Sequence, residues 1–151
     1  MKSLMQHVKE ASDFLGIKIP AVHVTLWDDK VYNAFEHSGV YIINGSNKDN
    51  PYYIGRSYKN IKGRLLSHQQ KMYIETREYK QKVYIPAGWK WLVKEEFPKT
   101  DASTMKLLEL YVFNMNGYTK ASICAFESIL IHRLQPLAND EIYEAKESDR
   151  S

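Results

Sequence analysis

Residues 39–68 read GVYIINGSNKDNPYYIGRSYKNIKGRLLSH: two short apolar runs parted by turn formers, then a segment with helical spacing. Gly39, Val40, Tyr41, Ile42 and Ile43 favour a strand, residues 45–51 are dense in turn formers, and Tyr52, Tyr53 and Ile54 favour a second strand. The pattern predicts a hairpin with a six- or seven-residue loop. A suitable register sets Tyr41 and Tyr53 on one face of the pair, and alternation sends Tyr52 to the other, into packing. Beyond Gly55, apolar residues at 61, 65, 66 and 72 predict a helix over about 60–73. On such a helix Arg64 and His68 lie one turn apart on the same side.

Outward from this stretch, Leu4, Met5, Val8, Ala11, Phe14 and Leu15 recur at helical spacing and Gly16 is placed to stop the helix. Val22, Val24 and Leu26 alternate as in a short strand or an extended arm, followed by a turn at Asp28 and Asp29. Lys71, Arg77, Lys80 and Lys82, interleaved with Tyr73 and Tyr79, form either an ordinary solvated face or a patch that follows a phosphate backbone. Residues 83–85 and 89–97 read as strands, the second being the candidate third strand of the core sheet. Asp101 or Ser103 is placed to cap a helix reaching about Asn114, with Met105, Leu107, Leu108, Tyr111 and Val112 inward. A last helix over about 120–134 turns Ile123, Phe126, Ile129, Leu130 and Leu134 to one side, and Pro136 ends it.

The chain's 151 residues fit one domain, and its three Trp and five Phe are material for a core. The single Cys124 excludes a disulfide within one chain and reads as a buried structural thiol, which suits a reducing compartment. No apolar run approaches the ~20 residues of a membrane-spanning helix, and the amino terminus has no signal-peptide pattern. These features predict a soluble, cytoplasmic protein with no membrane partner. The net charge of +3 permits nucleic-acid binding without requiring it. Asp140, Glu141, Glu144, Glu147 and Asp149 gather at the carboxy terminus, so the rest of the chain is distinctly basic.

GVY at 39–41, YIG at 53–55, Arg64 on the next helix, Glu127 within ASICAFESILIHRLQPLAND and Asn139 twelve residues later together resemble the GIY-YIG nuclease superfamily. The resemblance covers residues 39–140, about two thirds of the chain. It implies an α/β fold, with a small three-stranded antiparallel sheet flanked by helices and an amino-terminal helical extension. Residues 1–38 are then an extension packed on the core, 39–140 the nuclease domain and 141–151 an acidic tail. The implied activity is metal-dependent hydrolysis of DNA phosphodiester bonds to 5′-phosphate and 3′-hydroxyl ends, as in compact restriction, phage or repair endonucleases. RNA or branched or damaged DNA as substrate, and a binding module without catalysis, remain open alternatives.

The resemblance also assigns roles. Glu127 is the one carboxylate it gives to the metal, which hard oxygen chemistry makes Mg²⁺, with Mn²⁺ as a substitute. Glu109, also among apolar residues, is the rival, but Glu127 has the Pro and Asn that follow it in the family. Arg64 grips the scissile phosphate through its guanidinium fork, and Tyr41 or Tyr53 serves in proton transfer. A phenol of pKa ~10 is a poor base at neutral pH, so the proton either meets a lowered pKa or passes on to His68. Asn139 holds the metal region in place. The loop before Arg64 is one residue longer than the commoner family form, which makes Arg56 a second candidate for the phosphate contact, while Ser57 and Asn60 order the turn or touch DNA. Cutting both strands with one such site requires two nicks or a homodimer.

Overall fold

The computed structural model describes residues 2–26, 34–45, 50–74 and 108–139, with side chains up to His68 in the third segment. In chain order these give α1 (Leu4–Leu15), β1 (Ala21–Leu26), β2 (Gly39–Asn44), β3 (Tyr53–Ser57), α2 (Ile61–Ile74), β4 (Glu109–Asn114) and α3 (Lys120–Leu134). The strands form one antiparallel sheet in the order β1-β4-β2-β3. Among the described residues the fold is thus mixed α/β, an antiparallel sheet flanked by three helices. It has four strands rather than the expected three, because residues 21–26 pair along β4 in full register, from Ala21 opposite Asn114 to Leu26 opposite Glu109.

The helix expected to end near Asn114 is replaced by β4 over its last six residues. The segment ELYVFN lies centrally between β1 and β2, so Leu110 and Val112 fill the core on one face while Tyr111 and Phe113 pack on the other. A strand covered on both faces has a near-continuous apolar run, and such a run carries no period-two signal to tell it from a buried helix. The third-strand candidate over 89–97 lies outside the described residues, as do the segment 83–85, the turn at Asp28 and Asp29 and the acidic tail. The side chains of the 71–82 patch also lie outside them.

The helices expected over about 2–15, 60–73 and 120–134 and the β2–β3 hairpin are present. Ser3 and Gln6 form a capping box at the start of α1, and Gly16 ends it in the left-handed conformation, donating to the Asp13 carbonyl. Thr119 caps α3 by accepting from the Ser122 N–H. Two apolar layers result. Phe35, Tyr41, Ile43, Tyr52, Ile61, Leu65 and Leu110 pack between the sheet and α2; Val8, Val40, Ile42, Ile54, Phe113, Phe126 and Leu130 pack between the sheet and α1 and α3. Burying each large apolar side chain stabilises the fold by about 1.5–3 kcal/mol.

Tyr52 departs from its expected place. It precedes β3, where strand alternation has not begun, and its ring joins the same layer as Tyr41. Cys124 is half-buried on α3 rather than enclosed.

Candidate active site

β3 is an edge strand, and its alternation distributes side chains to both faces. Tyr53 and Gly55 face the α2 layer; Ile54 and Arg56 face α3. A cleft of about 500 Å³ straddles this edge, lined from β3 and the following turn by residues 53–59, and from elsewhere by Arg64, Lys120, Glu127 and Asn139. Arg56, Lys59, Arg64 and Lys120 make its wall cationic; Glu127 is the one carboxylate among the described lining residues.

On the α2 side, Tyr41 stands opposite Gly55 in the β2–β3 register. A Cβ on residue 55 would collide with the Tyr41 ring, so glycine there is a packing requirement. Tyr41 and Tyr53 lie with ring centroids 6.3 Å apart and planes 29° from parallel, and the His68 ring meets both, 5.8 Å from Tyr41 and 4.9 Å from Tyr53. Tyr41 Oη and His68 Nε2 are hydrogen-bonded at 2.6 Å; with the lone pair on Nε2, the phenol donates. Burial pushes the Tyr41 phenol well above its ordinary value of 10, Tyr53 adds to the rise, and the Arg64 guanidinium, close enough to hydrogen-bond the phenol, opposes it. In the free protein Tyr41 therefore carries its proton at neutral pH. The lowered pKa considered from sequence does not arise from the protein's own groups.

On the α3 side, Glu127 sits one turn beyond Ile123 on the inward face of α3, its side chain 8% exposed. Arg56 Nη1 donates to Glu127 Oε1 at 2.5 Å, and Arg56 Nε donates to Tyr58 Oη at 2.8 Å. The same guanidinium stands 5.1 Å from the Tyr58 ring centroid, with Lys120 Nζ 5.8 Å from that centroid. Asn139, 3% exposed, spans the strand edge: its Oδ1 accepts from Ile54 N–H at 2.9 Å and its Nδ2 donates to Ile54 C=O at 2.7 Å. The backbone of Leu137 and Ala138 donates to Pro51 and Tyr52 carbonyls, so residues 137–139 pin the amino-terminal half of β3. Ser57 Oγ accepts from the N–H groups of Lys59 and Asn60 and orders the turn into α2.

The six residues singled out from the sequence thus converge on one strand edge. Tyr53, Arg64, Glu127 and Asn139 line the cleft directly, and Tyr41 and His68 lie behind Tyr53 and Gly55. Glu109 instead lies half-buried on β4 and accepts from the Tyr111 hydroxyl at 3.2 Å. Sequence reasoning missed Tyr58, Lys59 and Lys120 as cleft residues. Their signal was no more than a basic and aromatic turn, and Lys120 comes from a distant part of the chain.

The chemistry of the donor set fits a hard divalent cation. Glu127 offers a buried carboxylate, both ends of the Asn139 amide are committed to Ile54, and the cleft leaves room for water and phosphate oxygens to complete the coordination. Among the described residues there is no cluster of three or more His, Cys, Asp or Glu.

An antiparallel β2–β3 hairpin with paired tyrosines, followed by an Arg and His helix and closed by a Glu helix and Asn, defines a nuclease-type α/β domain. The family model for the GIY-YIG catalytic domain matches residues 37–136, about two thirds of the chain, and the chain belongs to that family. Comparisons with curated proteins and with solved structures returned no match. No helix among the described residues is long and apolar enough to cross a membrane.

Proposed function

We propose that the protein is a metal-dependent endonuclease that hydrolyses DNA phosphodiester bonds, leaving 5′-phosphate and 3′-hydroxyl ends. The family membership makes it a nuclease; the finer reading rests on the Tyr41–His68 hydrogen bond of 2.6 Å beside a cationic cleft that holds one buried carboxylate. Phosphodiester cleavage must bring a nucleophile to an anion and stabilise the leaving 3′ oxygen. Glu127 would hold Mg²⁺, or Mn²⁺ in its place, and the bound ion would supply charge neutralisation at the phosphate and a more acidic water.

Arg64, exposed at the cleft, offers its guanidinium to the non-bridging phosphate oxygens. Tyr41 takes the proton of the attacking water while passing its own to His68 Nε2, so that the phenol never has to ionise fully. This relay answers the raised pKa of Tyr41: a strongly held phenolic proton is an obstacle to a tyrosinate base but not to a concerted hand-over. The new P–O bond forms as the P–O3′ bond breaks, and the departing oxygen is protonated from solvent. Tyr53 lines the cleft beside Tyr41 and packs against the His68 ring, which helps to keep that ring oriented. Asn139 acts at a distance, fixing the β3 backbone from which the cleft is built. A double-strand cut by one such site needs two successive nicks or two chains acting together.

Supercoiled plasmid incubated with Mg²⁺, with Mn²⁺ and with chelator tests this reading. Nicked or linear product should form only with metal, and Glu127→Ala should abolish it. A wild-type protein inactive with either metal on plasmid, single strands, branched DNA and RNA would reduce the family fold to a binding module.

A further inference from the structure

The contact between Arg56 and Glu127 has a meaning beyond a structural ion pair. One oxygen of the carboxylate that would hold the metal is already engaged: Glu127 Oε1 accepts from Arg56 Nη1 at 2.5 Å. The carboxylate is more than nine-tenths buried, and a buried anion requires a compensating cation. A guanidinium and a divalent cation held against one buried carboxylate repel each other strongly.

Arg56 has somewhere else to go. Its side chain is 36% exposed and lines the cleft, and its Nε bond to Tyr58 Oη and its position near the Tyr58 ring tether it there independently of Glu127. Lys59, Arg64 and Lys120 line the same cleft, so a nucleic-acid phosphate is drawn to within Arg56's reach.

We propose that Arg56 is a placeholder cation that competes with the divalent metal for Glu127 and is drawn off by the phosphate of bound DNA, so that metal and DNA bind cooperatively. The inference rests on the reading of Glu127 as metal ligand. In the DNA-free protein Arg56 satisfies Glu127 and keeps its carboxylate aimed into the cleft. When a phosphate accepts the guanidinium, the Glu127 carboxylate loses its cation, and a divalent metal would take that place. The site then assembles only on substrate, because each ligand removes what opposes the other.

Mn²⁺ binding, followed by electron paramagnetic resonance without any cleavage readout, tests this. Without DNA, Arg56→Gln should bind Mn²⁺ at least tenfold more tightly than wild type, while Arg56→Lys, which keeps a cation, should bind as weakly as wild type. In a Tyr41→Phe background, which leaves the DNA intact, duplex DNA should tighten Mn²⁺ binding at least tenfold when Arg56 is present and much less with Arg56→Gln. If Arg56→Gln binds Mn²⁺ no more tightly than wild type while Glu127→Gln abolishes binding, the metal site stands and the placeholder role is overturned. If Glu127→Gln binds Mn²⁺ as wild type does, the metal reading falls, and this inference with it. Should Arg56→Gln fail to fold alone, Mn²⁺ but not an equal ionic strength of NaCl should restore its folding; recovery with NaCl alone overturns the proposal.

Discussion

On the α2 side of β3 the candidate chemistry is built from rings packed against rings. Tyr41, Tyr53 and His68 stand within 6.3 Å of one another, centroid to centroid, and burial holds the Tyr41 proton in place. On the α3 side it is built from charges, with Arg56 against Glu127 and a neutral amide, Asn139, stitched to the strand backbone. The first half is suited to moving a proton because the acceptor is already 2.6 Å from the donor. The second is suited to exchanging one cation for another because its buried carboxylate already has one. A single edge strand serves both, since alternate residues of β3 face opposite layers while its backbone stays common to the two.

If the halves differ in this way, they should fail differently. Among variants that leave the metal site intact, the largest effect is expected on the ring side. His68→Ala removes the proton acceptor and should lower the single-turnover cleavage rate by about 10²–10⁴-fold, the usual contribution of general acid–base catalysis, with DNA affinity nearly unchanged. A parallel loss of DNA binding would mean that His68 serves to shape the cleft rather than to move the proton.

Next in size is the stitch. Asn139→Ala leaves the buried N–H and C=O of Ile54 without their side-chain partner and should cost about 1–3 kcal/mol in urea unfolding. Because β3 carries residues of both halves, cleavage should fall as well. An unchanged unfolding midpoint would show that water or a shift of the backbone replaces the amide, and that the two halves do not depend on this link.

A smaller, pH-dependent effect separates the halves again. The folded-state pKa of Tyr41 is raised, so the folded protein keeps a proton that the unfolded chain releases near its ordinary value of 10. The stabilisation is fully present below pH 10 and is lost as pH rises from there through the folded-state pKa, with a slope of up to about 1.4 kcal/mol per pH unit for the one proton. Tyr111, also raised by burial and by Glu109, adds to the same slope. Tyr41→Phe should flatten the alkaline loss measured by urea unfolding between pH 9 and 11, whereas Glu127→Gln should not. Equal slopes in wild type and Tyr41→Phe would contradict the buried-phenol description.

Much of this is legible in the amino-acid sequence itself. The hairpin and the Pro-terminated helix left local signals, and it was the resemblance carried by GVY, YIG, Arg64, Glu127 and Asn139 that gathered them into one site. β4 was not legible: a strand covered on both faces has the same continuous apolar pattern as a buried helix, and only its pairing with β1 and β2 distinguishes them. Nor was the Arg56–Glu127 pair, since its members lie 71 residues apart and nothing in either segment names the other. The sequence had marked Arg56 as a second phosphate contact and Glu127 as a metal ligand, two roles that the structure joins in one contact.

The most direct test of a site shared by both halves takes one variant from each, Tyr41→Phe and Glu127→Ala, and measures Mg²⁺-dependent nicking of supercoiled plasmid beside far-ultraviolet circular dichroism. The account predicts that both variants keep the wild-type spectrum and that both lose cleavage. Wild-type nicking by either folded variant, or the absence of nicking by the wild-type protein itself, would contradict it.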